Sequence, residues 1–580
     1  MSFFNTKRTL GKVEFKGFGG IDRRHVGIGR GDAKEIVNFR VLLDRSLKKR
    51  AGFKHLLDLP SNVRALMTGT SGGETMGYAL AGNVLYKLDL INGVANAVGT
   101  VSTSEGRASI FYYAGHTYLI DGKEIYDIRP NGLTVASGYA PLFGKNWGSL
   151  YPGEINEPLN ILTPHARISY IVSDPPNMYL STYYNVASVE AVYVNGILKD
   201  PAGYSIDRDN VTVNVPGLKA GDKVLIYLTF DIEQDRSPLA KNTDAVVFGG
   251  ISNSRVFMWG GADKSVMFSS SGISNADLRE SEKVYEGSGG LYFPEGYDFL
   301  VGDGRFDIRA VSRHYDRLLI FTEGDTWMAD SSSCGTDMFP VMRINSHRGC
   351  SSVGGVTRCG NDPICVSRDG ILRFSANTDE LDECNAYIIS DAIAEMLSDE
   401  FFENALAFEN RRFGELWFAR REDQSGRVFV YNADIKEWYT YSGIQADDFF
   451  ELDGSVGFVS GASLFVFDDS LGYDILSGGA RRAISAKFKS YPMNFDIPER
   501  KKRLMGICVM AETCGENVEV AFESDNGIAT IADICRESGE YAQVFTRRLC
   551  SDRFISTVMS ISTDSEELQR IYGVTVTVKP

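Results

Sequence analysis

Short apolar runs alternate with turn residues through most of this 580-residue chain, and this pattern limits the folds open to it. Examples are HTYLIDGKEIYDI (His116–Ile128), RLLIFTEGDTWMAD (Arg317–Asp330) and VGFVSGASLFVFDD (Val456–Asp469). A period of two places one face of a strand against a core, and Gly, Asp or Asn marks each turn. Hairpins repeated in series are typical of propellers, sandwiches and barrels. The sequence therefore predicts an all-β protein with a β-propeller-like central domain.

Interruptions of this pattern divide the chain into five segments. Residues 17–32 are rich in Gly and charge, Asn195-Gly196 is a strong hairpin turn, and Gly478-Gly479 ends the repeat. The predicted segments are an irregular N-terminal arm (1–60), the first part of the propeller-like domain (61–154), an inserted small β-sandwich or barrel (155–237), the second part of the propeller-like domain (238–480) and a C-terminal β-sandwich (481–580).

One segment, SDAIAEMLSDEFFENALAF (Ser390–Phe408), predicts a helix instead. Its apolar residues fall at helical spacing after Ser390, a residue suited to an N-cap; they are Ile393, Met396, Leu397 and Phe401. Two partners for this apolar stripe remain open, the edge of the propeller-like domain and another subunit.

The sequence offers no recognisable catalytic or metal-binding motif. The six histidines are dispersed, none of the nine cysteines forms a CxxC pair, and no GxSxG elbow occurs. VGIGRGD (Val26–Asp32) lacks the Lys-Ser/Thr of a phosphate-binding loop. Neighbouring carboxylates such as Asp447 and Asp448 point to opposite faces of a strand. We therefore expect no enzymatic activity, no cofactor and no metal.

The net charge of −16 disfavours uniform attraction to a nucleic-acid backbone as a function, since that attraction requires clustered Lys and Arg. The charge fits simple solubility, or a surface past which DNA moves without adhering. The N-terminal MSFFNTKRTLGKVEF has no uninterrupted apolar region, so no signal peptide is expected. No stretch approaches the ~18 apolar residues of a membrane span, and none is expected.

Several motifs are similar to those of one family of virion proteins. Val37-Asn38-Phe39 is followed about a dozen residues later by Leu47-Lys48-Lys49-Arg50-Ala51-Gly52-Phe53. The pair resembles the Asn-Phe and Leu-x-x-Arg-Pro-Gly-Phe/Tyr motifs of the tail nozzle, or tail tube, proteins of short-tailed bacteriophages, with Ala51 in place of the usual Pro. Arg343–Ala376 is similar to a second block of these proteins, and Val430–Tyr441 resembles a blade-closing strand pair. The order of the motifs along the chain is the main support for the resemblance.

The resemblance implies a homohexameric ring below the portal and its adaptor, the head–tail connector. Such a ring retains packaged double-stranded DNA, conducts it without specific binding when it is ejected, and carries fibres or spikes outside. The implied location is the virion tail, after assembly in the cytoplasm of the host bacterium. The expected contacts with the adaptor or a neighbouring subunit are Asn38, Phe39, Leu42, Leu43, Arg50, Gly52 and Phe53 in the arm, with Ile393, Met396, Leu397 and Phe401 in the helical segment.

Two other functions remain open from the sequence. One is a baseplate, distal-tail or collar protein of a longer-tailed phage, which position in the particle and symmetry would distinguish. The other is a carbohydrate-binding or glycosidase propeller, which would be a monomer with a sugar-lined cleft.

Overall fold

A computed structural model describes residues 11–15, 17–24, 31–71, 74–145, 154–249, 254–260, 264–270, 291–330, 339–375, 385–495, 498–525, 527, 529–535, 542–547 and 553–579. Strands dominate these residues, and the predicted all-β class is confirmed. The helical elements described are one short α-helix, α1 (Asp399–Glu403), and 3-10 turns at Pro201–Gly203, Ser237–Leu239, Asp391–Met396 and Arg411–Phe413. None of the helices in the described ranges has the length and apolar character that a bilayer crossing requires.

Seven antiparallel units of four strands form the central part of the chain. Units 1 to 3 are β6–β9 (Val63–Ser71, Glu74–Ala81, Val84–Asp89, Val94–Thr100), β10–β13 (Ser109–Tyr113, His116–Ile120, Ile125–Arg129, Gly132–Val135) and β23–β26 (Asp244–Phe248, Arg255–Trp259, Ser265–Phe268, Asp298–Leu300). Units 4 to 6 are β27–β30 (Ile308–His314, Arg317–Thr322, Thr326–Asp330, Val341–Asn345), β31–β34 (Val356–Cys359, Asp362–Ser367, Gly370–Phe374, Ala386–Ile388) and β35–β38 (Ala405–Asn410, Glu415–Arg420, Val428–Asn432, Glu437–Tyr441). Unit 7 is β39–β41 (Asp448–Leu452, Ser455–Ser460, Ser463–Asp468) with β5 (Gly52–Asp58).

The units follow one another in a closed cycle, which we call the ring. The first strand of each unit contacts the first strand of the next, in the order β6, β10, β23, β27, β31, β35, β39 and back to β6. Both faces of a unit are therefore covered. In β28, Leu318 and Ile320 pack on unit 3, whereas Leu319 and Phe321 pack on unit 5. This two-sided burial explains why many of the strands read as continuous apolar runs.

The fourth strand of unit 7 comes from near the N-terminus and joins the two ends of the ring. β5 pairs antiparallel with β41, with Phe53 opposite Phe467. Unit 7 continues past β5 through β42 (Tyr473–Ile475) and β43 (Arg481–Ala483). The ring is thus held closed by hydrogen bonds between residues far apart in sequence.

Residues 31–60 form strands, so the predicted irregular arm is wrong for this stretch. β2 (Ala33–Val37) lies between β38 and β44 (Ala486–Ser490), extending unit 6. β3 (Phe39–Val41) pairs with β4 (Leu47–Lys49), which pairs with the C-terminal strand β50 (Arg570–Lys579). The apolar residues of these short strands are buried, and that burial stabilises strand pairing despite the high Gly and charge content upstream. Residues 1–10 and 25–30 of the predicted arm lie outside the described residues.

Two sheets at the C-terminal side share one core with the ring. The first continues unit 6 in the order β38–β2–β44–β49–β46–β47, and the second has the order β3–β4–β50–β45–β48 with β1 beside β50. The strands not yet defined are β1 (Gly11–Phe15), β45 (Arg503–Glu512), β46 (Val518–Ser524), β47 (Ala529–Ile534), β48 (Ala542–Arg547) and β49 (Thr557–Thr563). Phe488, Val520 and Val576 belong to the same buried cluster as Trp417 of unit 6. The sheets therefore extend beyond the predicted 481–580 segment by taking strands from residues 11–49.

The insertion lies between units 2 and 3, close to the predicted place. Its larger sheet has the order β15–β14–β16–β22–β18–β19, and its smaller sheet has the order β17–β21–β20. Their bounds are β14 (Leu142–Lys145), β15 (Glu154–Asn156), β16 (His165–Ile171), β17 (Tyr179–Ser181), β18 (Val186–Val194), β19 (Ile197–Leu198), β20 (Ser205–Asp207), β21 (Thr212–Asn214) and β22 (Lys223–Phe230). The two sheets share their own core, and Asn195-Gly196 forms the predicted turn between β18 and β19.

The predicted helix over Ser390–Phe408 is wrong as a single element. A 3-10 helix covers Asp391–Met396, α1 follows after the Ser398 cap, and β35 begins at Ala405. Residues 405–408 pair with β36 as the first strand of unit 6. Strand pairing and burial in the ring thus override the local helical spacing.

Candidate functional site

The family-like N-terminal motif lies at the junction between the ring and the C-terminal sheets. Arg50 is 2% exposed, and its guanidinium donates to both carboxylate oxygens of Asp474, at 2.8 and 2.9 Å. Its Nε donates to Oδ1 of Asn38 at 3.0 Å. Asn38 in turn donates to the Ser442 hydroxyl at 2.9 Å and the Ser485 carbonyl at 2.7 Å. One buried network therefore connects β2–β5, unit 6 and the strands that follow unit 7.

Backbone geometry explains two residue types in this motif. Asn38 has φ +57°, a left-handed conformation that Asn tolerates better than most residues. A Cβ on Gly52 would lie 1.8 Å from the carbonyl oxygen of Tyr473, so only Gly fits this close approach. Phe53 then packs edge-on against Phe458, with ring centroids 5.0 Å apart.

These positions correct the interface prediction for most of the motif. Asn38, Phe39, Arg50, Gly52 and Phe53 are buried within their own chain and cannot serve as exposed contacts. The side chains that remain accessible are in the turn between β3 and β4, where Leu42 is half-buried and Leu43 is 72% exposed.

The apolar stripe of the second predicted interface also packs on its own chain. Ile393 and Phe401 are buried in the core shared by units 5 to 7 and the C-terminal sheets. Met396 and Leu397 are partly buried against that core. Of the two partners left open by the sequence, the chain's own core is the one observed for Ile393 and Phe401. A contact of the half-buried Met396 and Leu397 with another subunit stays a prediction.

A cavity of about 370 Å³ occupies the centre of the ring. Residues from units 3 to 7 line it, and Arg107, just before β10, completes it on the unit 2 side. The residues used below are Arg107, Trp259, Arg358, Glu409 and Glu451. Its volume lies at the lower end of the range for small-ligand sites.

Charged groups from separate units meet where the first strands begin. Arg107 forms a two-pronged ion pair with Asp244, the first residue of β23, at 2.7–2.8 Å. Arg421 donates to the backbone carbonyl of Asp447 at 3.2 Å. Asp448, the first residue of β39, is exposed, whereas the carboxylate of Asp447, just before the strand, accepts from the Gly461 amide at 2.7 Å.

The surroundings of Asp448 differ from those of Asp244. Desolvation raises the pKa of the Asp448 carboxyl, opposed by Arg421 and Arg107 and reinforced by Asp244. Desolvation also lowers the pKa of Arg421, and the charge of Arg107 adds to this effect. Nothing local in the sequence marks this cluster, because Asp244 and Asp448 are 204 positions apart and ring closure brings them together.

Metal binding has no clear site in the part of the chain that the structure describes. No group of three His, Cys, Asp or Glu residues within those ranges is arranged to hold an ion. The described thiols are Cys350, Cys359, Cys365, Cys508, Cys514 and Cys535, and all six are free.

Comparisons with known proteins give no family for this chain. No protein-family model and no curated protein matches it. Among solved structures, it is similar to a chain from the crystal structure of BBS1N in complex with ARL6DN (9% identity, 72% of this chain and 97% of the other, TM-score 0.26). It is also similar to a chain from the mitotic checkpoint complex (9%, 77% and 100%, TM-score 0.32) and to the exo-beta-1,3-galactanase of Phanerochaete chrysosporium (9%, 97% and 100%, TM-score 0.22). TM-scores this low establish neither a shared fold nor a shared function.

Proposed function

We propose that the ring is a seven-bladed β-propeller and that the chain is a structural protein of a phage tail, a tail nozzle. The cyclic order of the seven units and the closing strand β5 support the propeller assignment. The resemblance to nozzle proteins supports the virion assignment. In this function the chain is not an enzyme, and its work is assembly and the passage of DNA.

The observation that carries the proposal is the placement of the family-like motif. Asn38 and Arg50 tie the ring to the C-terminal sheets through buried hydrogen bonds and an ion pair. A ring that retains packaged DNA and later releases it needs domains that stay joined under the pressure of that DNA. The motif supplies that rigid connection within each subunit.

The opening inside one chain is not the channel for DNA. Its volume of about 370 Å³ suits a small ligand, and a duplex whose major groove alone is about 12 Å wide does not fit. We place the DNA channel between subunits, in a lumen enclosed by several copies, with six as the proposed number. Each copy contributes a charge of −16, which disfavours retention of the DNA backbone in that lumen.

Docking to the portal-adaptor ring is assigned to exposed residues, with Leu42 and Leu43 as candidates. Fibres or spikes would attach elsewhere on the outside of the ring, and the assembled protein would reside in the virion tail. Leu43→Asp is expected to weaken docking onto purified portal–adaptor particles without changing the circular dichroism spectrum. Lys48→Gln, at a half-exposed position on the adjacent strand β4, is the control, because it changes the charge by the same −1.

Electron microscopy of the particle tests the proposed function most directly. We expect the chain in a six-fold ring below the portal, with the DNA path along the axis between subunits. A ring at the distal end of a long tail would favour the baseplate, distal-tail or collar alternative, and a chain that is not in the particle would refute both.

One observation favours a glycosidase as the second candidate. Asp244 and Asp448 share one mouth of the ring in different environments, as pairs of catalytic carboxylates do. The ion pair with Arg107 argues against it, because it occupies both oxygens of Asp244. Hydrolysis of a polysaccharide by a monomer, lost in Asp448→Asn, would establish this alternative and refute the nozzle.

A further inference from the structure

A second cavity, of about 350 Å³, lies where the first strands of units 3, 4 and 5 end. Val247 of β23, Arg313 of β27 and Arg358 of β31 line it, together with the turn residues Tyr315 and Asn361. It is at the opposite ends of these strands from the Asp244 and Asp448 cluster, which forms where the first strands begin. Arg358 also borders the central cavity, so the two spaces are neighbours.

Two arginines line this cavity, and none of the described residues that line it is acidic. Among the described residues, Arg358 makes no hydrogen bond or ion pair, and Arg313 makes one hydrogen bond, to the carbonyl of Val247. The two guanidinium groups are close enough to repel. Burial and this repulsion together hold the pKa of Arg313 below its usual value. Two like charges held near each other, with no acidic residue in the described lining, make this cavity positive.

Tyr315 occupies a turn position that does not suit a bulky residue. It is the first residue of the two-residue turn between β27 and β28, and its φ is +53°. Gly or Asn is favoured at such a position, as at Asn195 in the insertion. A bulky residue is an outlier at such a position, and backbone strain of this kind is concentrated at functional sites. Tyr315 lines the cavity in this strained conformation. Because its side chain is 54% exposed, burial does not offset the backbone strain.

We propose that this cavity binds a small phosphate-bearing anion between Arg313, Arg358 and Tyr315. Guanidinium groups present paired N–H donors that match the oxygens of a phosphate, and a dianion would neutralise both charges. The Tyr315 hydroxyl and the Asn361 amide add neutral donors at the rim. The volume suits an anion the size of a pyrophosphate or a sugar phosphate and leaves no room for a macromolecule.

Calorimetric titration of the full-length protein with inorganic pyrophosphate at low salt tests the site. We expect binding that weakens as salt increases, and a loss of at least about tenfold in Arg358→Gln, which is about 1.4 kcal/mol. Arg368→Gln is the matched control, because Arg368 lies in the same unit, is largely exposed and does not line the cavity. Arg358→Gln is the decisive variant, because its side chain supports no other described residue.

Tyr315→Asn separates binding from structure. Asn tolerates a positive φ, so this variant is expected to raise the melting temperature while weakening pyrophosphate binding. If Tyr315 had only a structural role, Tyr315→Asn would change the melting temperature without weakening pyrophosphate binding. Equal affinity for pyrophosphate in the wild type, Arg358→Gln and Arg368→Gln would overturn the proposal, as would an absence of binding to the wild type.

Discussion

The ion pair between Arg50 and Asp474 should decide whether the ring and the C-terminal sheets unfold together. Arg50→Ala removes all of the Arg50 side-chain hydrogen bonds. Asp474, which is 1% exposed, then keeps its ion pair with Arg482 and a hydrogen bond from the Phe53 amide. Breaking a buried pair by removing one partner costs about 3–5 kcal/mol. Because Arg482 still reaches Asp474 at 2.9 Å, we expect the lower end, about 3 kcal/mol.

Urea unfolding followed by tryptophan fluorescence measures this effect, since Trp417 and Trp438 lie in the core at the junction. Arg482→Ala is the matched control, because its side chain is 43% exposed and its loss should cost less than about 1 kcal/mol. The double variant Arg50→Met/Asp474→Leu removes both buried charges together. It should be more stable than Arg50→Ala, because no buried carboxylate is then left without one of its two arginine partners.

Two results would refute this reasoning. One is an Arg50→Ala variant that unfolds at the same urea concentration as the wild type. The other is a double variant less stable than Arg50→Ala, which would mean that Asp474 stabilises the junction through Arg482 and the Phe53 amide even without Arg50.

The remaining predictions concern the same region. Gly52→Ala should cost about 1–3 kcal/mol or more through overpacking against Tyr473, whereas Gly203→Ala, with open space around it, should leave the urea midpoint nearly unchanged. Phe39→Ala should cost about 3–5 kcal/mol in the same assay and Leu43→Ala almost nothing, and similar costs for the two would contradict the burial difference. Burial lowers the pKa of Lys49 to about 8, so above pH 8 the folded state binds fewer protons than the unfolded state. The free energy of unfolding of the wild type, relative to that of Lys49→Met, should therefore rise between pH 8 and 10, by at most about 1.4 kcal/mol per pH unit. If this difference in unfolding free energy does not change with pH, the pKa of Lys49 is not lowered. Deleting residues 1–56 removes β2–β4 and most of β5, so circular dichroism should report an unfolded protein rather than a ring that merely fails to dock.

Local pattern was enough to predict the β-rich class and most hairpins. Side chains along Arg317–Thr322 pack alternately on units 3 and 5, so both faces of the strand are apolar. Such an apolar run between turn residues is enough to predict a strand. The insertion was also visible, because Asn195-Gly196 fixes a turn by local chemistry.

Features that depend on closure of the ring could not be predicted from the sequence. Gly52–Asp58 has no clear alternation and follows a Gly-rich stretch, so nothing local marks it as the last strand of unit 7. The spacing of Ile393, Met396, Leu397 and Phe401 fits a helix equally well, and strand pairing of residues 405–408 with β36 decides the outcome. The Asp244–Asp448 and Arg313–Arg358 clusters join residues of different units. Local patterns in a single sequence do not predict which units lie next to each other.

The closing strand also affects how the chain is made. Lys54 and Asp468, which face each other across β5 and β41, are 414 residues apart. At about 5–20 residues per second, β5 leaves the ribosome roughly 20–80 s before its partner is synthesised. During that time the strand has an unpaired edge, which is the kind of segment that adds to other chains. Production of this protein therefore depends on shielding one short N-terminal strand until translation is nearly complete.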